Sequence, residues 1–377
     1  MTAVGLIFSN IHDQSVPELT RMRTMASVPF GGRYRLIDFG LSNMVNSGIT
    51  KVGLITHYNY KSLLDHIGTG KDWDLARRSG GIKLLPPYIT AYDGSVASKL
   101  YESRLEALLG ARDFITRCTE DCFVLVDCDI ICNVDLGAVV EEHAKTGADV
   151  TFVTRRVDAS TMHFAEQISI IDADEKGQVT DFYMEKPQDK IVNLYTNIMV
   201  VSKNYMMSLL SDAAAHGYTS FFRDVIGHAI GKANFRTYAY DGWYAYIGSL
   251  ESYFACSMEL LTQEAREGLF SVKNRPILTK VRNSAPTKYN EGANVKNSLI
   301  ADGCVIEGEV ENCILFRGVK IGKGTVVKNS ILMQDTYVGS DVSLNCVITD
   351  KNVVIRDGRV LSGHETMPFF IGKNGSV

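Results

Sequence analysis

The chain has 377 residues, 45% of them hydrophobic and 22% charged, with a formal net charge of -4. This is the composition of an ordinary globular protein with room for two domains. It provides no basic field for nucleic acid or an anionic membrane, and no run of about 18 apolar residues to span a bilayer. The eight cysteines form no C-x-x-C pair or dense framework. With no signal-like N-terminus they read as reduced thiols, and the cytoplasm is the expected compartment.

Ala3 to Phe8 is a short apolar run suited to the first strand of a parallel sheet. Val28 is biased to an extended conformation by Pro29, and Gly31-Gly32 tolerate positive φ. Leu36, Ile37, Leu41, Met44 and Val45 then fall at helical spacing, and Gly48 stands where a glycine would end that helix. Lys51 to Thr56 reads as the second strand and Tyr60 to Ile67 as a helix. Gly68 to Lys71 is not a phosphate-binding loop, because Asp72 stands where Ser or Thr is required. Trp73 to Gly81 reads as a loop and Ala97 to Thr116 as helix, with Arg104 and Glu106 compatible with a solvated face.

Cys122 to Val126 is a continuous apolar run, hence a buried central strand. It delivers Asp127 and Asp129 to its C-terminal end, where open α/β sheets bind ligands, and two acids there favour a metal or phosphate site. Cys128 and Cys132 read as small apolar residues rather than ligands. Asp135 is suited to cap the next helix. Asp149 to Arg155 is a further strand. Ile168 to Ile171 and Val179 to Met184 read as an antiparallel pair around the turn Asp174 to Gly177. Ser249 to Arg266 reads as one long helix. Residues 271–292, with Pro276 and Pro286, read as a linker. Beyond it Val326, Leu332, Val338 and Leu344 recur at intervals of six; Ile300 and Ile306, and Ile348 and Val354, share that interval. A hexapeptide period with Gly, Asn and Asp in the turns predicts a left-handed parallel β-helix, whose open end needs a cap or a partner.

The string Ser27 to Asn43, S-V-P-F-G-G-R-Y-R-L-I-D-F-G-L-S-N, resembles the signature of ADP-glucose pyrophosphorylases, in which it lies beside the nucleotide pocket. Glu185-Lys186-Pro187, Arg223-Asp224-Val225-Ile226 and Gly242 to Ser249 are similar to further strings of that family. The resemblance covers nearly the whole chain. It implies an α/β fold with a doubly wound, mostly parallel sheet in a nucleotidyltransferase-like domain (1–270), the linker (271–292) and the β-helix (293–377). It also implies that Asp129 is the first magnesium ligand and that Glu185, Lys186 and Asp224 serve the sugar phosphate.

The departures are as informative. No glycine occurs between Phe8 and Gly31, where the family carries a glycine-rich loop with an arginine for the nucleotide phosphates. Met25 stands at the position of a lysine and Ala26 at that of a proline; Met22 and Met25 read as packing residues. Ser103 to Leu108 replaces a helix start built from small residues, and Arg104 would crowd a nucleotide. Asn197 replaces a glycine. Tyr246 replaces the second magnesium aspartate, and a phenol is a poor ligand for so hard a cation.

Within the family the chain is therefore similar to the GlgD-type subunits, partners of the catalytic GlgC-type subunits. That implies little or no activity alone, no cofactor of its own (magnesium belonging to the catalytic partner), and a hetero-oligomer, expected to be a tetramer. A sugar phosphate is a possible ligand of the altered pocket. Arg33 and Arg35 either bind an anionic effector or pair with surface acids. The competing expectation is a self-sufficient adenylyltransferase with a variant loop; a sugar-phosphate sensor is a third. A hexapeptide acyltransferase is disfavoured, because no histidine occurs between Val295 and Gly358.

Overall fold

The computed structural model describes residues 1–87, 101, 103–162 and 167–377; the start of the predicted helix, 97–100, lies outside them. A nine-stranded sheet organises the first domain. Ala3–Phe8 lies between Lys51–Ile55 and Cys122–Asp127, parallel to both, and Gly81–Leu85 extends this parallel half at one edge. Beyond Cys122–Asp127 the sheet is mixed, because Ile191–Ser202 runs antiparallel to it. Ala3–Phe8 and Cys122–Val126 are continuously apolar because both faces of the sheet are covered there, whereas the outer strands carry Lys51 and Lys83. Val4, Leu6 and Phe8 pack with the helices Arg104–Gly110 and Lys203–His216, and Ile7, Val124 and Val126 pack with Leu36–Asn46.

Local expectations held where the backbone gave a clear signal. Gly31 and Gly32 have φ of 57° and 81°, and Leu36–Asn46 is helical. Asp135 accepts from the Ala138 N–H as the cap of Leu136–Thr146. Ile168–Ala173 and Val179–Glu185 pair antiparallel. The loop reading holds over 74–80, with Trp73 itself buried at the end of a short 3-10 turn and Gly81 opening the edge strand Gly81–Leu85. Two helix readings fail. The described part of Ala97 to Thr116 is two helices, Arg104–Gly110 and Arg112–Arg117. The single helix over Ser249 to Arg266 is two, Leu250–Glu259 and Gln263–Phe270, because the Thr262 hydroxyl caps a new start by accepting from Ala265 N–H.

The second domain is a left-handed β-helix of three parallel sheets, each with five strands. Its ladder already begins at Lys288–Tyr289, inside the stretch read as linker. The inward positions are Ile321, Val327, Leu332, Val338, Leu344 and Ile355, so the spacing is not a strict six. Val326 and Val354 lie one residue off this interior line, and Val354 is exposed. One sheet, through Ile314, Ile331 and Ile348, is apolar on its outer face as well, and that face packs into the core of the first domain. At the far end the C-terminal residues fold back: Val354 N–H donates to Gly375 and Arg356 N–H to Val377, which partly covers the last coil.

Candidate functional site: a neutralised centre and a cationic cleft

The segment after the first strand is a packed structure in its own right. Asn10 Nδ2 donates to Asp13 Oδ2 at 2.6 Å, and the Met25 backbone N–H donates to Asp13 Oδ1 at 2.6 Å. Burial pushes the Asp13 carboxyl up to about 7, against these two hydrogen bonds. Met25 is buried in the core as a packing residue, whereas Met22 is exposed. Arg23, almost fully buried, forms a two-oxygen ion pair with the equally buried Asp350 of the β-helix at 2.7 and 2.8 Å. No glycine cradle for phosphate remains here; the segment is a clasp between the two domains.

The clasp turns His12 toward the ends of the central strands. His12 Nε2 lies 2.7 Å from Asp127 Oδ2 and 3.4 Å from Asp129 Oδ2. Arg104 forms an ion pair with the same Asp127 oxygen. It is no solvated residue: it is buried, its guanidinium carbon 5.0 Å from the ring centre of Phe222 and 5.7 Å from that of Phe8. Burial would raise Asp127, but Arg104 and His12 outweigh it and hold that carboxyl below its ordinary value. Asp129, with no cation as close, is pushed up to about 6 by burial. Burial lowers the His12 imidazole, yet Asp129 and Asp127 together raise it.

Tyr246 and Asp129 meet as the sequence predicts. Tyr244–Tyr246 pairs antiparallel with Ile130–Cys132, and Ile247 N–H donates to the Asp129 carbonyl at 2.8 Å. The Tyr246 ring lies across Gly248, where an added Cβ would sit 2.5 Å from Cε1. Burial, then the Asp129 and Asp127 carboxylates, raise the phenol and keep it neutral. Asn197 supplies a further contact: Nδ2 donates to Asp129 Oδ2 at 2.9 Å. Its φ is 57°, at an irregularity where Ile191–Ser202 changes partners between two neighbouring strands. Only Gly, Asn or Asp adopts that conformation readily, which explains the replacement of a glycine by Asn.

His12, Asp127 and Asp129 are the one group among the described residues with ligand atoms close enough for a metal, all within 4.8 Å. They do not fit magnesium. That ion needs hard anionic oxygens, and here the second carboxylate is replaced by a neutral phenol while Asp127 is engaged by an arginine and a histidine.

The other sequence-predicted residues lie elsewhere. Glu185 pairs with Lys190 at 2.5 Å, and Lys186 is exposed just beyond the strand end; only Met184 of this strand lines the cavity beside Asp129. Asp224 caps a turn, accepting from Thr219 and Ser220 N–H and pairing with Arg223, and it lines a separate cavity.

Arg33 and Arg35 do come together with other cations. They line a cleft between the domains with Arg282, Arg317 and Lys351. Arg35 donates to the Ser62 carbonyl and hydroxyl, and neither Arg33 nor Arg35 forms an ion pair among the described residues. Arg317 is paired with Asp302. Burial, then Arg35 and Arg23, lower the Lys351 ammonium to about 7. The sequence reading missed His12, whose signal was its place directly after the first strand. It also missed Arg282, Arg317 and Lys351, which come from separate stretches and share no local pattern.

The fold and site thus define a nucleotidyl transferase domain joined to a hexapeptide β-helix. The family model for nucleotidyl transferases matches residues 16–263, and that for the GlmU-like C-terminal hexapeptide matches residues 283–366. The glycogen biosynthesis protein GlgD of Bacillus subtilis is 34% identical over 372 residues, 98% of this chain and 95% of that protein. Its namesake in Geobacillus stearothermophilus is 38% identical over 327 residues, 86% of this chain and 82% of that protein. A glucose-1-phosphate adenylyltransferase of Fervidobacterium nodosum is 31% identical, covering 96% of this chain and 86% of its own. The chain belongs to the GlgD-type branch of the glucose-1-phosphate adenylyltransferase family. No helix among the described residues is long and apolar enough to cross a membrane.

Proposed function

We propose that this chain is a subunit of a glucose-1-phosphate adenylyltransferase in glycogen biosynthesis that transfers no nucleotidyl group itself and modulates a catalytic homologue in a hetero-oligomer, a tetramer of the two chains. The role in glycogen biosynthesis rests on its similarity to the glycogen biosynthesis proteins GlgD. The observation that carries the loss of chemistry is the occupation of Asp127 by Arg104 and His12 beside a neutral Tyr246. Nucleotidyl transfer depends on positioning and on neutralising phosphate charge with a metal and cationic side chains. In this centre the cations neutralise the protein's own carboxylates instead. The intact framework and the β-helix support retention of an assembly role.

The cleft between the domains supports a regulatory part to that role. Arg33 and Arg35, with Arg282, Arg317 and Lys351, form a concentration of positive charge with few acids, suited to a phosphate-bearing effector. The decisive experiment measures pyrophosphate release from ATP and glucose 1-phosphate by this chain, by a catalytic homologue from the same cell, and by their mixture. The expected result is background for this chain and altered maximal rate or effector response for the mixture. Robust turnover by this chain alone would instead establish a self-sufficient enzyme with a variant loop.

A further inference from the structure

A lysine stands among the arginines of the cleft between the domains. Lys351, on the β-helix, lines it together with Arg33, Arg35, Arg282 and Arg317. Its amine makes no hydrogen bond or ion pair among the described residues, and it is not sealed from the cleft. The acids nearby are already engaged. Asp350 accepts two hydrogen bonds from Arg23, at 2.7 and 2.8 Å, and a third from the Lys351 backbone N–H at 2.6 Å. Asp302 pairs with Arg317 at 3.0 Å, and Asp38 pairs at 2.6 Å with His66, which also lines the cleft.

An ammonium at this place is partly desolvated and faces the cations Arg35, Arg23 and Arg282, and both conditions favour the neutral amine. Burial first, then Arg35 and Arg23, bring the group down from 10.5 to about 7. Near pH 7 about half of it is unprotonated, roughly a thousandfold more than for a lysine at its ordinary value. A neutral amine is a nucleophile, and the product best suited to a nest of arginines is an anion. Carbon dioxide gives one. The nitrogen lone pair attacks the carbon, a C=O π pair moves onto oxygen, and the nitrogen releases a proton to solvent, leaving the carbamate Lys–NH–COO⁻. No oxidant, reductant or leaving group takes part. The free space in the cleft, about 30 Å³, suits a neutral molecule of three atoms.

We infer that Lys351 is an acceptor for carbon dioxide, and that its carbamate is held by the arginines of the cleft and cancels part of their positive charge. This rests on the reading of the cleft as an anion site, and it adds an anion made in place rather than bound from solution. The planar pair of carbamate oxygens matches the fork of a guanidinium. The cations that meet it come from the first domain (Arg35 and Arg23) and from the segment between the domains (Arg282), so the modification ties the β-helix to both.

The test equilibrates the full chain near pH 7.5 with carbon-13 carbon dioxide and bicarbonate, traps carbamates as methyl esters with trimethyloxonium ion, and locates the label by peptide mass spectrometry. The N-terminal α-amine, an ordinary carbamate former, reports that trapping worked. Lys351 should carry at least about tenfold more label than any other lysine. Arg35→Met removes the strongest of the cations acting on it and should lower that yield about fivefold. Arg282→Met, at an exposed residue, should lower it by about half and decides the matter if the first variant does not fold. No label on Lys351, a yield no higher than that of other lysines, or a yield that neither folded variant lowers would overturn the inference. Repeating the experiment with saturating inorganic phosphate separates the two claims. Phosphate binding by a chain that takes no label on Lys351 keeps the anion site and loses this inference. Labelling that phosphate leaves unchanged keeps this inference and loses the phosphate-bearing effector.

Discussion

Two clusters of cations in this molecule have opposite fates. In the centre, Arg104 and His12 are spent on Asp127 and Asp129, and every charge there has an opposite within reach. In the cleft between the domains, Arg33, Arg35, Arg282 and Lys351 crowd together with no ion pair of their own among the described residues. The buried acids nearest them are taken, Asp350 by Arg23 and Asp38 by His66. A balanced buried cluster is a structural element that resists an incoming ion, because any ligand must first break existing pairs. An unbalanced cluster stores repulsion that an anion relieves. The place where the family string persists, Phe30 to Phe39, feeds the second cluster more than the first.

The sharpest way to break the comparison is to unbalance the centre. Arg104→Met leaves Asp127 buried with only His12 beside it, and should cost about 3–5 kcal/mol in urea unfolding. A loss below about 1 kcal/mol would show that the pair is not part of the folded core. The cleft should respond in the opposite sense to an added anion. Saturating inorganic phosphate should stabilise the chain by about 2–3 kcal/mol, read as a rise in Tm.

That gain should depend on pH through Lys351. Its folded value of about 7 lies below its ordinary 10.5. Between those two values the unfolded chain holds more protons on this residue, so raising the pH across that window stabilises the fold. Below about 7 the charged ammonium faces Arg35, Arg23 and Arg282, with Asp350 as the opposing acid. Phosphate should therefore raise Tm more at pH 6 than at pH 9. Equal shifts at both would place the anion elsewhere. Lys351→Met should stabilise the anion-free chain at pH 6 by about 1 kcal/mol, discounted for partial exposure, and flatten the pH dependence of the phosphate effect.

The smallest expected effect is the most instructive. Tyr246→Asp restores a carboxylate opposite Asp129 but leaves Arg104 and His12 in place and no glycine cradle after Phe8. ADP-glucose formation should stay at background, because groups that act in one transition state do not contribute singly. Measurable turnover from this one change would show that the centre is only one ligand short of a working enzyme.

Much of this architecture was legible in the residues. The first strand, the Gly31-Gly32 turn, the helix from Leu36, the Asp135 cap and the β-helix each rest on local signals: apolar runs, positive-φ glycines, a side chain that caps its own helix, and a near-regular repeat. The adjacency of Asp129 and Tyr246 was legible too, through strings similar to those of known relatives. The exact solenoid register was not, because an interval of five interrupts the sixes and the residue that points inward is decided by the coil it stacks on. Nor was the fate of Glu185, Lys186 and Asp224, whose local strings persist while Lys190, Arg223 and two backbone N–H groups claim the carboxylates. What the sequence by itself determined is the set of elements and the list of missing catalytic groups. What only the tertiary structure decided is charge balance. Residues 12, 104, 127 and 129 become a neutral buried cluster, and residues 33, 35, 282, 317 and 351 become a cationic cleft. Coulomb interactions depend on distance and burial, which segments remote in the chain acquire only when the sheet closes and the β-helix docks.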